Sequence, residues 1–416
     1  MEGGIYLLVA KDRNGRLCSL FSKSKEELDD YRKQEFFCPC CQSRVNVKAG
    51  AIKLPHFAHS RNQSCDYTAE PESEEHMKGK LHLYEWLRKQ GLQVELEKYL
   101  PELQQRPDLF LKWNNEQYAI EFQCSIIPLE QIKQRTRNYI RYHIVPIWIL
   151  NSRFLKVRNE FEYHVSAFLW SATFGKQLFP NLLFYSPTTY QFTKLQQLTP
   201  FSSKITFAYS KEEVNPTFFS LLQVDYPKPF AFHQWMQKKR AWRNNAHLFA
   251  NFVQPFHLAL YESSLQPASL PNEIGLPVPY MHLFETNVIH WQFWLCKETL
   301  LSKNIGDTVT TQEWRAKLIK CMKEKKILLR ILPSNQSINP FLPVEQYIHL
   351  LIKLNILAKK SKDSFTIMRK MEPFTHRQIG GETALYEKVA SIYHELFLKE
   401  YHETIQAERF FYYDEK

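Results

Sequence analysis

The sequence predicts an α/β protein that carries an additional, mainly α-helical region towards its carboxy terminus. Two observations predict this fold class. Up to about residue 150, short apolar runs bounded by Asn-Gly and Asn-Asn pairs alternate with segments of helical periodicity. Beyond that point the most regular segment is an amphipathic helix in residues 383–408. We therefore expect a β-rich module in residues 1–68, a central domain in residues 69–155, and a mainly helical region in residues 156–416.

Composition and charge limit the classes of protein to which the chain can belong. Its 416 residues are 44% hydrophobic and 14% aromatic, which excludes a disordered chain and suffices for several domains. The net charge of +11 favours a polyanionic partner, with nucleic acid as the first expectation. No run approaches the ~20 apolar residues that a membrane span needs. The first apolar run, IYLLVA, is too short for a signal peptide, so we expect a cytoplasmic protein.

The amino-terminal module is predicted from its turn signals and its cysteines. Residues 5–21 indicate two strands around an Asn-Gly turn, and a short capped helix follows. A second strand pair, which turns near an Ala-Gly pair at residues 49–50, separates two groups of metal-ligand residues. The candidate ligands are Cys38, Cys41, His56, His59 and Cys65.

These candidates have the spacing of a structural zinc site in a zinc-finger-like module. Tetrahedral Zn²⁺ takes four Cys or His ligands, and C-x2-C lets two thiolates bind one ion from a tight turn. The set that we favour is Cys38, Cys41, His59 and Cys65. His56 is the main rival, and Cys40 is the alternative to Cys41. Buried cysteines without a metal, or a redox pair, fit less well, and a catalytic zinc would need an open position although ligands are in surplus.

The central domain is predicted to run α-β-β-β-α-β. A helix begins after the cap residue Ser73 and ends at Gly91, and the strand LQVELEKYL follows, with Glu95 and Glu97 on one face. Two further strands form a hairpin. A second helix then covers about residues 129–142, and VPIWIL is predicted to be a buried strand.

The hairpin in residues 106–123, RPDLFLKWNNEQYAIEFQ, is predicted to bring four polar residues to one point. If the Asn-Asn pair forms a two-residue turn, Asp108 faces Glu121 and Arg106 faces Gln123 on the same side of the sheet. Opposed carboxylates have Cβ atoms about 5 Å apart, and they need a cation or a proton between them. The residues expected to form the core face are Leu109, Leu111, Trp113, Tyr118, Ile120 and Phe122.

This strand order, with Asp108 at the start of the second strand and a Glu-x-Gln sequence in the third, resembles the restriction-endonuclease-like fold. The catalytic pattern of that fold is Asp followed by Glu-x-Lys. Residues 1–155 resemble more closely the CoiA family of bacterial competence proteins. The segments that carry this resemblance are the Cys-Pro-x-Cys knuckle, PHFAH, HMKGKLHLYEWL, RPD, IEFQ and the helix with Arg135 and Tyr139 before IWIL. The resemblance implies a role in natural transformation after DNA uptake, with a nuclease-like domain.

Hydrolysis of a phosphodiester by such a domain requires a divalent ion that polarises the phosphate and activates a water. Asp108 and Glu121 are the expected ligands of Mg²⁺ or Mn²⁺, since hard cations prefer carboxylate oxygens. Glu97, and less strongly Glu95, is expected to complete the acidic face. An arginine bridge to either ligand, or their placement on opposite sides of the sheet, would count against the enzymatic interpretation.

The lysine of the catalytic pattern is replaced by Gln123, an amide that can hold a water but supplies no charge. Lys80, on the first helix of the domain, is our candidate for a relocated catalytic lysine, and Arg106 is the second candidate. Two simpler interpretations remain open. The polar residues of the hairpin can form a solvated face, and Lys80 can be an ordinary lysine on a helix surface.

Two groups of residues are candidates for DNA contacts: Arg106, Arg135 and Tyr139 in the central domain, and Lys238, Lys239, Arg240 and Arg243 in a helix predicted in residues 230–252. Aromatic residues that alternate with cations suit single-stranded DNA, where bases stack and phosphates pair with charge. An ordinary amphipathic helix produces the same pattern. Residues 263–279 contain several prolines and are expected to form a loop or linker.

Two functions follow from these features. The first is a Mg²⁺- or Mn²⁺-dependent DNA nuclease that acts on imported DNA. The second is a non-catalytic DNA-binding adaptor that recruits recombination proteins, which the glutamine in place of the lysine favours.

Overall fold

The computed structural model describes residues 6–21, 23–50, 54–60, 65, 73–175, 180–246, 255–330, 332, 339–375 and 379–413. It is a mixed α/β protein with three β-sheets in these residues. The predicted boundary between residues 68 and 69 lies outside them. In the described part of the chain, no helix combines the length and the apolar character that crossing a membrane requires.

The amino-terminal module is a six-stranded sheet with one helix. Its elements are β1 (Tyr6–Leu7), β2 (Val9–Lys11), β3 (Leu17–Ser19), α1 (Lys25–Arg32), β4 (Phe36–Phe37), β5 (Arg44–Lys48) and β6 (His56–His59). The order of the strands is β1-β6-β5-β4-β2-β3. Helix α1 begins at a capping box formed by Ser24 and Glu27, in which each side chain accepts a hydrogen bond from the backbone of the other.

The central part of the chain forms an eight-stranded sheet. Its elements are α2 (Glu74–Lys89), β7 (Gln93–Leu96), β8 (Leu109–Trp113), β9 (Glu116–Gln123), α3 (Leu129–Arg141), β10 (Ile144–Asn151), β11 (Glu162–His164), α4 (Ala167–Ser171), β12 (Leu182–Ser186), β13 (Gln191–Pro200) and β14 (Ile205–Val214). The order of the strands is β11-β14-β13-β12-β10-β9-β8-β7, in which β10 is parallel to both neighbours. The first six elements follow the predicted order α-β-β-β-α-β.

The boundary predicted at residue 155 is not where this sheet ends. Strands β11 to β14 extend the same sheet to Val214, so the helical region begins about sixty residues later than expected. The physical reason is that β12 pairs in parallel with the buried strand β10, β13 pairs antiparallel with β12, and β14 pairs antiparallel with β13. The domain boundary was predicted directly after β10, and this placement overlooks the later strands that cover the second edge of β10.

The register predicted for the hairpin is confirmed from Leu109 to the turn, but not for the two outer pairs. Trp113 pairs with Glu116, and Leu109 pairs with Ile120. The two asparagines between the strands have φ angles of 45° and 61°, as a two-residue turn of the primed type requires. The ladder of β8 and β9 ends at Leu109, so Asp108 lies before the first residue of the strand.

Both faces of the hairpin are covered by helices. Helix α2 packs on the predicted core face, where Leu109, Leu111, Tyr118, Ile120 and Phe122 are buried and Trp113 is partly buried. The backbone of α2 approaches this face so closely that a Cβ on Gly79 would lie 2.0 Å from the ring of Phe122. Helix α3 covers the opposite face, where Phe110 and Ala119 pack against Tyr139. The solvated polar face that was one of the open interpretations is therefore absent from this hairpin.

Beyond β14 the described chain is mainly helical, as expected. Its elements are α5 (Phe218–Leu222), α6 (Phe232–Asn245), α7 (Pro255–Glu262), α8 (Val288–Cys296), β15 (Thr308–Thr310), α9 (Thr311–Lys323), α10 (Leu342–Lys353), β16 (Leu357–Ser361), β17 (Ser364–Ile367) and α11 (Ile379–Tyr413). The three strands form a small sheet in the order β15-β17-β16.

Two features tie this helical region together. Residues 263–279 are not a free linker, because Leu270, Ile274 and Leu276 are buried in the hydrophobic core. Helix α11 reaches back to the central sheet, where the hydroxyl of Tyr393 lies 3.1 Å from that of Thr199 on β13. The last long helix therefore packs against an element formed nearly two hundred residues earlier.

Candidate functional sites: a cysteine-histidine cluster and a buried charge cluster

Four ligand-type residues meet beside the amino-terminal sheet. The ligand atoms of Cys38, Cys41, His59 and Cys65 all lie within 4.8 Å of one another, and the thiol of Cys41 is 3.3 Å from Nε2 of His59. The turn that presents the first two is closed by a hydrogen bond from the amide of Gln42 to the carbonyl of Cys38. These are the four residues that the sequence favours, and their arrangement can hold a metal ion.

His56 does not belong to this cluster. Residues three apart on a strand point to opposite faces, and His56 precedes His59 by three on β6. Its ring is buried and its Nδ1 lies 2.8 Å from the carbonyl of Leu54, to which it donates a hydrogen bond. The cluster of four also omits Cys40.

The chemistry of the donor set fits a thiophilic ion. A hydrogen bond from the thiol of Cys40, together with backbone hydrogen bonds at Cys40 and Cys41, lowers the pKa of Cys38 to about 4 despite its burial. A thiolate is the form of cysteine that binds metals. Nδ1 of His59 is buried and finds no hydrogen-bond partner among the described residues, whereas Nε2 faces the thiol of Cys41.

A second cluster of charged side chains lies inside the central domain, where α2 crosses the ends of β7 and β8. Lys80 of α2 is fully buried, with its Nζ 2.6 Å from Oε1 of Glu97 and 3.6 Å from Oδ1 of Asp108. One turn earlier on the same helix, Nε2 of His76 lies 3.2 Å from Oδ2 of Asp108. That oxygen also accepts a hydrogen bond of 2.8 Å from the amide of Phe122. Lys80 is therefore not the ordinary surface lysine that was one interpretation.

Two features of this cluster differ from what the sequence predicts. His76 had no assigned role, although its spacing of four residues from Lys80 places both on one face of α2. Glu97 was expected to share a face with Glu95, but strand β7 ends at Leu96 and Glu97 has a left-handed φ of 50°. Glu97 is consequently turned into the cluster, whereas Glu95 remains exposed and pairs with Lys98.

Glu121 lies on the other face of the hairpin, beneath α3. Its Oε1 accepts a hydrogen bond of 2.6 Å from the hydroxyl of Tyr139 and forms an ion pair with Arg135. The predicted cross-strand pair of Asp108 and Glu121 is not formed, although the charge of Asp108 lies near enough to raise the pKa of Glu121. Strand alternation did not apply to Asp108, because it precedes β8 and its carboxylate is turned towards α2.

The expected pair of Arg106 and Gln123 is also wrong. The side-chain amide of Gln123 donates to the carbonyl of Ser125 at 2.8 Å, in the loop that follows β9. The guanidinium of Arg106 instead lies 3.9 Å from Oε2 of Glu97. Gln123 stands at the lysine position of the catalytic pattern, but its side-chain amide is engaged by Ser125.

The environments of the three carboxylates shift their pKa values in different directions. Burial raises the pKa of Asp108, but His76 and Lys80 lower it more, so the pKa lies well below its ordinary value. Glu97 shows the same balance, since Lys80 and Arg106 outweigh its burial and lower its pKa. Burial raises the pKa of Glu121, and Arg135 offsets this only in part. At neutral pH, Asp108 and Glu97 are therefore held as carboxylates by neighbouring cations.

This arrangement does not fit a Mg²⁺ or Mn²⁺ site. Three carboxylates, Glu97, Asp108 and Glu121, are matched by three cations, Lys80, Arg106 and Arg135. Mg²⁺ requires near-octahedral coordination by oxygen atoms, and two extra positive charges beside buried cations would be costly. In the described ranges, these carboxylates do not form a group of three or more that could hold a metal. One condition that counts against the enzymatic interpretation, an arginine bridge to an expected ligand, is met.

Tyr139 and Arg135 both contact Glu121 within the protein. Tyr139 is fully buried, and its hydroxyl serves Glu121. Arg135 is partly exposed but pairs with Glu121, and its guanidinium also donates to the carbonyl of Arg106. Arg106 itself has a side chain only 14% exposed.

The four cations of α6 that are predicted to contact DNA each have a partner within the protein. Lys239 is buried and donates to the carbonyl of Asn272, and Arg243 is buried in an ion pair with Glu382 of α11. The remaining two are paired as well, Lys238 with Glu162 and Arg240 with Glu382. The pattern of aromatic residues and cations thus belongs to a helix that packs between other elements, which was the simpler of the two interpretations.

Unpaired cations do occur on the exposed face of α3. Arg137 and Arg141 are exposed, one helical turn apart, and neither forms an ion pair with any described residue. Tyr142, at the end of the helix, has 45% of its surface exposed. The spacing of four residues between the arginines is the signal in the sequence from which this surface can be found.

The fold and the two clusters define a mixed α/β protein, in which a cysteine-histidine module that can hold a metal precedes a domain with a buried charge cluster. Comparison with known families agrees: the chain belongs to the CoiA family of competence proteins. The amino-terminal domain of that family matches residues 20–68, its nuclease-like domain matches residues 72–224, and its carboxy-terminal domain matches residues 230–379. Competence protein CoiA of Bacillus subtilis (strain 168) is 30% identical over 348 residues, which is 81% of this chain and 90% of that protein. No solved structure matches the chain.

Proposed function

We propose that this chain binds imported DNA during natural transformation and acts as a non-hydrolytic adaptor that presents DNA to recombination proteins. Membership of a competence-protein family supports the process. The net charge of +11 supports a polyanionic partner. The observation that carries the non-hydrolytic role is the paired state of the three carboxylates, each of which contacts a cation from this chain.

The DNA-contacting surface in this proposal is the exposed face of α3. Arg137 and Arg141 can each pair with a phosphate, since neither is engaged by another described residue. Tyr142 offers an exposed ring on which a base can stack, so single-stranded DNA is the favoured substrate. The ion in the cysteine-histidine cluster is proposed to be Zn²⁺ in a structural role, because four Cys or His donors leave no open position.

The test is binding of fluorescent single- and double-stranded oligonucleotides in EDTA over a range of salt concentrations. The double variant Arg137→Ala/Arg141→Ala should bind single strands more weakly, and the slope of log K against log salt should fall by about 1.4, or about 0.7 for each lost phosphate contact. A control variant that removes two exposed cations from α9, Lys320→Ala/Lys323→Ala, should bind like the parent. Equal binding by all three proteins would refute the assignment of the surface.

A second candidate function, metal-dependent hydrolysis of DNA, is favoured by one observation. The Nζ of Lys80 lies 3.6 Å from Asp108 and so supplies the charge that Gln123 lacks. Hydrolysis would also require Glu121 to leave Arg135. Cleavage of both DNA forms should be assayed with Mg²⁺ and Mn²⁺, comparing the parent with Asp108→Ala and Arg135→Gln. We expect no metal-dependent cleavage by any of them. Cleavage by the parent that Asp108→Ala abolishes would overturn the adaptor proposal.

A further inference from the structure

We infer that Glu97 is a positioning residue that couples metal binding in the amino-terminal module to the placement of Lys80 in the central domain. The inference concerns how two modules of this chain are joined, and it does not rest on the proposed binding of DNA. Glu97 joins the two modules because one of its carboxylate oxygens contacts the amino-terminal module and the other contacts the central domain.

The connection begins at a metal-ligand residue. His59 ends strand β6, which pairs antiparallel with β1 through Leu7 and Phe57. Leu8 follows directly, and its amide donates a hydrogen bond of 3.1 Å to Oε2 of Glu97. Strand β6, which carries His59, is therefore linked to Glu97 through its pairing with β1 and through one hydrogen bond.

The other oxygen of Glu97 completes the connection. Its Oε1 lies 2.6 Å from Nζ of Lys80, which in turn lies 3.6 Å from Asp108. The side chains of Lys80 and Glu97 are 0% and 2% exposed, so water does not compete for these contacts. Hydrogen bonds to a buried ionised group are among the stronger ones in proteins, and their loss leaves a charge without compensation.

The backbone at Glu97 indicates that its position is imposed. A φ of 50° is uncommon for a glutamate, and such conformations persist only where the surroundings determine them. The amide of Glu97 donates to the carbonyl of Asp108 at 2.9 Å, which fixes the turn. This turn directs the carboxylate into the space between the two modules.

The modules also share apolar contacts, since Leu8 and Val9 pack in the same core as Leu96. Loss of metal could therefore loosen the central domain through packing alone. The variant Glu97→Gln separates the two routes, because it keeps the size of the side chain and removes its charge. Glu95→Gln, a change of the same kind at an exposed position two residues earlier, is the matched control.

The experiment is hydrogen exchange by mass spectrometry on the full chain without DNA, with Zn²⁺ bound and after its removal by a chelator. In the parent and in Glu95→Gln, removal of Zn²⁺ should raise exchange in α2 around Lys80 by about tenfold. In Glu97→Gln, exchange in α2 should already be raised with Zn²⁺ bound, and metal removal should add little. Helix α9 serves as the internal reference and should not change.

Two results would overturn the inference. One is an exchange rate in α2 of the parent that does not respond to metal removal. The other is a Glu97→Gln protein that responds as strongly as the parent, which would assign the coupling to packing. Should Glu97→Gln fail to fold, Cys65→Ser tests the same link from the other end, since it removes a ligand and leaves Glu97 intact. It should reproduce the exchange pattern of the metal-free parent, and a pattern like that of the metal-bound parent would refute the coupling.

Discussion

Replacement of Lys80 by methionine tests whether the buried charge cluster is a closed network of ion pairs. Methionine has a similar length and no charge, so Lys80→Met removes the cation and leaves the packing of α2 nearly unchanged. Of the cations described around it, Glu97 then retains Arg106 at 3.9 Å, besides the amide of Leu8, and Asp108 retains His76. Removing one partner of a buried ion pair typically costs about 3–5 kcal/mol. We expect a loss of unfolding free energy of this size at pH 7.

The magnitude can be checked by urea unfolding of Lys80→Met, Glu97→Gln and the double variant, with the m-value confirming that the transition itself is unchanged. The double variant should be less destabilised than the sum of the single variants, because no carboxylate at position 97 remains unpaired. Such coupling should amount to about 0.5–3 kcal/mol.

The pH dependence gives a second readout of the same variant. In the parent, the pKa values of Asp108 and Glu97 are lowered from ordinary values of 3.8 and 4.5. Their contribution is therefore complete above those values and is lost as the pH falls below them. In Lys80→Met, burial should raise the pKa of Glu97 above 4.5, so its protonation restores stability as the pH falls through the raised value. The deficit of the variant should shrink in acid.

A cost below about 1 kcal/mol at pH 7, with an unchanged m-value, would refute this reasoning. Such a result would mean that water stabilises the negative charges of Glu97 and Asp108 when Lys80 is absent. The balance of charges would then no longer exclude a divalent ion from the cluster.

Two further predictions concern packing and metal binding. Gly79→Ala should destabilise the chain by about 1–3 kcal/mol, since the new Cβ would meet the ring of Phe122, whereas Gly50→Ala has no atom within 4 Å and should be nearly neutral in the same unfolding assay. Equal stability of the two variants would show that α2 can shift. Cys65→Ser should lose bound zinc, as measured by mass spectrometry of metal content, while Cys18→Ser, which is outside the cluster, should keep it. Retention of zinc by Cys65→Ser would exclude Cys65 as a ligand.

Local sequence patterns were sufficient to predict the turn and core face of the hairpin and the four residues of the metal cluster. The two asparagines determined the turn and so the register, and strand alternation identified the core face. The same rules failed just beyond the strand ends. Alternation does not extend to Asp108, which precedes β8, and it does not foresee the left-handed backbone of Glu97. Both residues are placed by partners on α2, which are distant in the sequence.

The fate of the cations on α6 could not be predicted for a related reason. A helix with alternating aromatic residues and cations has the same sequence pattern whether it faces water or other elements. Burial of Arg243 depends on Glu382, which lies about 140 residues further along the chain. The extent of the central sheet could not be predicted either. It depends on the pairing of β12 with β10, and a 3₁₀ turn, β11 and α4 lie between these strands in the sequence.

The contact between Tyr393 and Thr199 has a consequence for how the chain is synthesised and divided. Because α11 follows β13 by nearly two hundred residues, the far end of β13 stays uncovered until that later part of the chain has been synthesised. A fragment cut at residue 224, where the match to the nuclease-like domain ends, would permanently lack this cover. Such a fragment should be more prone to aggregate than the intact protein. Biochemical measurements on the isolated domain would then describe a molecule in which the end of β13 is exposed, unlike in the full chain.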